Sequence, residues 1–215
     1  VDILPSESIQ ASVKASYYFG APAGNLQVNW TLSKTGDRLY IPGGWETGPY
    51  DAYWLDFYPN FAAFGLYVTQ GQGITTPDGT LRIEIPAEAL ANIDPQRRQK
   101  LTLEVSGVDE SGFPVSARTE ATFHPAAFYA GVRPEAWGIQ AGSELGVSIQ
   151  TVDWQVQPSG NHDLSARFSK VRWIRKDPPG GVGTPTYEKE LNPVASTNLR
   201  TDGLGRARVS FTPPD

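Results

Sequence analysis

Alternation with a period of two constrains this chain more than any other feature. Leu26, Val28, Trp30 and Leu32 alternate with Gln27, Asn29, Thr31 and Ser33. The same rhythm recurs at Leu81–Ile85, Leu101–Val105, Val115–Phe123, Leu145–Ile149, Leu164–Phe168 and Ala207–Phe211. A strand turns successive side chains to opposite faces, so each run offers one face to a core and the other to water. Turn residues separate the runs, as in Pro22-Ala23-Gly24-Asn25, Pro77-Asp78-Gly79, Pro158-Ser159-Gly160-Asn161 and Asp202-Gly203. Short strands between such turns predict an all-β fold of antiparallel sandwiches. Helix is confined to Ala87–Ile93, where Pro95 leaves room for a single turn.

Composition then removes whole classes of function. At 215 residues and 39% apolar, the chain has material for one large domain or two of about 100 residues. The net charge of −5 comes with no basic block, which excludes a nucleic-acid or anionic-membrane surface. No apolar run is long enough to span a bilayer. The start, Val1-Asp2-Ile3-Leu4-Pro5, lacks the basic and apolar stretches of a signal peptide. With no cysteine there is no disulfide, thiolate metal site or cysteine nucleophile. There is also no methionine, not even a first one. The chain therefore reads as a piece of a longer protein, with its function belonging to the parent.

The turns repeat. Pro22-Ala23-Gly24-Asn25 precedes Ser33-Lys34, and Pro158-Ser159-Gly160-Asn161 precedes Ser169-Lys170, 136 residues later. Each copy then reaches Asp-Gly (Asp78-Gly79, Asp202-Gly203) and an alternating strand. This order predicts two tandem immunoglobulin- or fibronectin-like sandwiches, 1–125 and 126–215. The first carries an aromatic-rich insertion at about 37–76. The second lacks counterparts for Leu101–Val105 and Val115–Phe123, so it is expected to be C-terminally truncated and to self-associate through its open edge.

The insertion supplies the candidate contact surface: Trp45, Tyr50, Tyr53, Trp54 and Tyr58. So much ring area must pack on its own sandwich or meet a partner. Asp51 and Asp56 lie among these rings, but their spacing does not define a glycosidase pair. His162 reads as a solvated turn residue and His124 as an interdomain contact. Neither has the spacing of a metal site or a defined triad. Asp78-Gly79 and Asp202-Gly203 lack the further oxygens of a calcium loop and read as tight turns. No phosphate-binding loop is present. No cofactor is expected, and the chain reads as a non-enzyme.

The stretch Ala15-Ser16-Tyr17-Tyr18-Phe19-Gly20-Ala21-Pro22-Ala23-Gly24-Asn25, leading into Val28–Leu32, resembles a macroglobulin module of the bacterial alpha-2-macroglobulin family. Val68–Ile85, Tyr129–Val132, Val171–Arg175 and Ser196–Phe211 are similar to it more weakly. The resemblance implies successive seven-stranded sandwiches in a periplasmic or cell-envelope parent, in some cases a lipoprotein, that traps proteases. It implies neighbouring modules and trapped proteases as partners, and a scaffold role without catalysis. In many members a Cys-Gln thioester links to the protease; this chain has no cysteine to form one. The alternative is an immunoglobulin-like binding module of an adhesin or carbohydrate-binding protein, acting through the aromatic insertion.

Overall fold

The computed structural model describes residues 1–48, 65–108, 112–178 and 183–213. Among them are strands β1 (Asp2–Ile3), β2 (Ile9–Lys14), β3 (Gln27–Gly36), β4 (Glu46–Thr47), β5 (Leu66–Ile74), β6 (Thr80–Ile85), β7 (Gln99–Val108), β8 (Pro114–Phe123), β9 (Tyr129–Pro134), β10 (Leu145–Val152), β11 (Asp163–Lys176), β12 (Thr186–Arg200) and β13 (Arg206–Phe211). The fold is all-β, as the alternation predicts. The helical candidate forms one 3-10 turn, Ala87–Leu90. It buries Leu90, and Ile93 follows it into the core. The chain divides into two units, residues 1–40 with 47–127 and residues 41–46 with 128–215.

In the first unit a five-stranded sheet, β1-β8-β7-β3-β5, shares a core with the pair β2–β6. Leu32, Val68, Leu101, Leu103 and Phe123 come from the large sheet, and Ile9, Ile83 and Ile85 from the small one. Leu32 stands opposite Leu103 and Trp30 opposite Val105. Cross-strand pairs of this kind make the predicted alternation cohesive. β5 lies inside the stretch predicted as an insertion. Its glycines hid it, yet Gly71 is small for a reason: a Cβ there would overlap the Trp30 indole. β8 departs from expectation differently. Its alternation is intact, but the strand stays exposed through Glu120, and Phe123 alone is buried. Alternation marks a face that can be covered; a covering element must still be present.

In the second unit the sheet β13-β10-β9-β4 is joined by the pair β11–β12. Tyr129, Ile149, Val152 and Val209 are buried, and Phe168 stacks on Phe211 at 4.6 Å. Residues 41–46, far upstream, belong to this unit.

The two units repeat the same clasp. Tyr17 N–H donates to Ala21 O as Asp153 does to Gln157 O, and Gly20 to Tyr17 O as Val156 does to Asp153 O. Isolated bridges Ser16–Pro22 and Val152–Pro158 match at the same spacing. Register shifts fall at Leu32/Ser33 in β3 and at Phe168/Ser169 in β11. The downstream half needs a correction. Gly79 N–H donates to Thr76 O, and its counterpart is Gly205 to Asp202 O, not Gly203. Gly79 and Gly205 share a positive φ, +80° and +76°, which glycine adopts without steric cost. The Asp-Gly dipeptides are thus displaced by two residues in the structure. Turn composition alone could not fix that register, because either aspartate can close the same bend.

Candidate contact surface

Of the five predicted contact residues, Trp45 lies within the described residues. Tyr50, Tyr53, Trp54 and Tyr58 lie outside them, as do Asp51 and Asp56. Trp45 belongs to the second unit with its neighbours Ile41–Glu46. Consecutive glycines Gly43 and Gly44, both at positive φ, bend this segment. Ile41 is buried, and Thr47 Oγ1 donates to Leu39 O at 2.7 Å. The Arg133 guanidinium lies 4.5 Å above the Trp45 ring, and its Nη1 donates to Gly43 O at 3.0 Å. A cation over an indole face is attractive electrostatically. Trp45 is half-buried, and its approach depends on Gly131. A Cβ at 131 would lie 3.0 Å from Ile41 Cδ1 and 3.1 Å from Trp45 Cβ. The sequence singled out Trp45 as a candidate contact residue but gave no sign of its neighbours Arg133 and Gly131, because nothing local links residues so far apart.

The histidines have structural partners. His124 is 1% exposed, with Nε2 2.8 Å from Asp2 Oδ1. Its backbone N–H reaches Ile3 O at 2.8 Å, so it fastens β1 to the end of β8 within the first unit. His162, expected in solvent, is partly buried and stacks on Phe128 at 3.8 Å. Its Nε2 lies 2.8 Å from Ser159 Oγ. An acyl-transfer triad would need an acid to orient that imidazole. The adjacent Asp163 instead accepts two hydrogen bonds from Arg200, at 2.9 and 3.1 Å.

Both turn aspartates use their oxygens inside the turn. Asp78 Oδ1 accepts from Thr76 Oγ1, from Thr80 Oγ1 at 2.9 Å and from Thr80 N at 3.2 Å. These bonds, Thr76's foremost, hold its carboxyl below the ordinary aspartate range. Asp202 Oδ1 accepts from Leu204 N at 2.9 Å and Arg206 N at 2.8 Å. Elsewhere on the surface, Arg208 grips Glu135 with two bonds of 2.7 and 2.9 Å, which holds that carboxyl below its ordinary range as well.

Two exposed aromatic features were not anticipated as surfaces. At the tip 17–19, Tyr17 stacks on Phe19 at 5.3 Å, and the fully exposed Tyr18 meets Phe19 edge-on at 5.2 Å. Along β11–β12, Val171 pairs with Leu191 and Arg175 with Tyr187, placing both pairs and Trp173 on one exposed face. The signal for the latter was present, since apolar residues continue beyond Phe168 at Val171 and Trp173.

The whole chain is similar in structure to bacterial alpha-2-macroglobulins. It matches the native conformation of the Escherichia coli protein with a TM-score of 0.63 at 17% identity, covering 100% of this chain and 14% of that one. The Salmonella protein reacted with methylamine matches at 0.61 and 15% identity, covering 99% of this chain and 14% of that one. The Escherichia coli protein activated by porcine elastase matches at 0.62 and 17% identity, over 100% of this chain and 19% of that one. No family model matches the sequence, and no curated protein does. At these identities the likeness concerns the fold: the chain is built of macroglobulin-like modules and spans less than a fifth of the length of the chains it matches.

Proposed function

We propose, from the premise of a macroglobulin-like fold, that these residues are non-catalytic structural modules of a bacterial protease-trapping protein of the cell envelope. The observation that carries this reading is the structural match of 99–100% of the chain to bacterial alpha-2-macroglobulins. The missing cysteine and the turn-locked aspartates are in keeping with a scaffold. Its role would be to carry motion between neighbouring modules after the parent is cut. Neighbouring modules and trapped proteases are then the partners.

The test is inhibition. The isolated chain, incubated with trypsin, elastase or subtilisin, should leave activity on a macromolecular substrate unchanged. The parent protein should reduce that activity in proportion to its amount. Stoichiometric protection by the isolated chain would overturn the scaffold reading. So would a parent that leaves every protease unaffected.

A further inference from the structure

The chain holds two Asp-Gly dipeptides, Asp78-Gly79 and Asp202-Gly203, and no Asn-Gly. The two-residue displacement between the copies gives them different places in the same bend. Gly79 and Gly205 close that bend by donating to Thr76 O and Asp202 O. Asp202 therefore stands where Thr76 does, and Gly203 stands where Pro77 does. Proline has no N–H, so the bend needs no donor at that position. The Gly203 N–H accordingly makes no hydrogen bond among the described residues. Its surroundings are open as well, since a Cβ at 203 would meet nothing within 4 Å. Gly79 is the reverse. It is buried, its N–H is bonded to Thr76 O at 2.8 Å, and a Cβ there would overlap Ala15 O.

We infer that Asp202-Gly203 is a site of spontaneous backbone modification, at which the folded chain forms isoaspartate, while the fold protects Asp78-Gly79. Gly203 N attacks Asp202 Cγ. The amide proton and the carboxyl hydroxyl leave as water, and a succinimide closes between the two residues. Water then adds at either carbonyl, which restores aspartate or routes the main chain through the former side-chain carboxyl. The attacked carboxyl must be in its acid form, and Asp202 is exposed, so it takes that proton from solvent. Its Oδ1 accepts from Leu204 N and Arg206 N, which holds the carboxyl over the bend without engaging Gly203 N. At Asp78, bonds from Thr76 and Thr80 hold the carboxyl below the ordinary aspartate range, so its acid form is scarcer at any given pH. Attack there also requires Gly79 to give up its hydrogen bond, and Gly203 has none to give up. The product alters the second unit. The former backbone carbonyl of Asp202, acceptor for Asn161 N and Gly205 N at 3.0 Å each, becomes a free carboxylate. The carboxyl that capped Leu204 N and Arg206 N becomes the new peptide carbonyl. Isoaspartate thus loosens the bend between β12 and β13 and its tie to Asn161.

The test ages the whole chain at mildly acidic pH, folded and in urea, then digests it and resolves the aspartate and isoaspartate forms of both peptides. Methylation by an isoaspartyl methyltransferase confirms which form is which. One hydrogen bond of ordinary strength separates the two sites, so in the folded chain Asp202 should convert about two- to tenfold faster than Asp78. In urea the two should convert alike. Amide exchange at Leu204 and Arg206 should quicken in the aged chain as isoaspartate accumulates. Gly203→Pro installs the residue of the first copy, removes the attacking N–H and should abolish conversion at Asp202. Gly203→Ala, whose methyl has open space, should slow it and serves if the proline variant does not fold. Three outcomes overturn the proposal. They are conversion at Asp78 as fast as at Asp202 in the folded chain, conversion at Asp202 in urea alone, and the same preference for Asp202 in urea as in the fold. The last would assign the difference to flanking sequence. None of these depends on whether the parent traps proteases.

Discussion

Val156 sits at φ +64°, where the β-branched side chain meets its own backbone. Its counterpart Gly20 occupies the same turn position at +91° without that penalty. Val156→Gly should therefore stabilise the second unit by about 1 kcal/mol, read as a rise in urea midpoint at constant slope. Gly131→Ala should do the opposite. A methyl 3.0 Å from Ile41 and 3.1 Å from Trp45 overpacks the contact and should cost about 1–3 kcal/mol. Loss of Trp45 fluorescence shift should accompany the change. Asp78 and Glu135 should contribute to the pH dependence of stability. Both carboxyls are held below their ordinary range in the folded chain, so folding favours their charged forms. Their contribution is present above the unfolded carboxylate range and is lost as pH falls through the folded values. Asp78→Asn and Glu135→Gln should each flatten the acid limb of stability measured from about pH 6 to about pH 2. At this scale the sequence was legible where the chemistry is local, as at Gly79 or Asp78. It was silent on Arg133 over Trp45, because attraction across 88 residues leaves no mark on spacing.

The clasp between strands rests on buried threonines. Thr75 Oγ1 accepts from Leu26 N at 2.9 Å and donates to Ala23 O at 2.8 Å, with the residue 2% exposed. Thr201 Oγ1 accepts from His162 N at 3.0 Å in the second copy. Thr75→Val keeps the shape and removes both bonds, stranding a buried N–H and a C=O. The expected cost is about 2–4 kcal/mol, with faster amide exchange at Leu26. Strand reading succeeded for β3, β6, β7 and β13, where apolar residues recur at every second position. It passed over β2, where Ile9 and Val13 flank the small Ala11, and β5, where Gly71 and Gly73 stand at packed positions. It also passed over β12, whose Glu188, Lys189 and Glu190 look like solvated loop. The Asp-Gly register slipped because two different aspartates cap equivalent bends.

For the whole molecule, the repeat was the most legible feature, since turn residues at fixed intervals survive where core residues drift. The unequal covering of the copies was legible only in part. β11–β12 is a two-stranded pair, whereas its counterpart β3–β5 continues through β7 and β8. β11 and β12 should accordingly open before β3 and β7, with amide exchange in Asp163–Lys176 and Thr186–Arg200 approaching that of an isolated hairpin. Uniform protection across both units would contradict this.

The placement of residues 41–46 in the second unit bears on how the protein is made. A ribosome releases Ile41 and Trp45 long before Tyr129, Gly131 and Arg133 exist to receive them. Through that interval the nascent chain carries an unmet apolar segment within an otherwise completed first half. Closing the second sheet then requires a contact distant in sequence, whose loop entropy is paid before any packing is gained. The slowest step of biosynthesis should be this late capture, and translational pausing or chaperone demand should concentrate after residue 128 emerges.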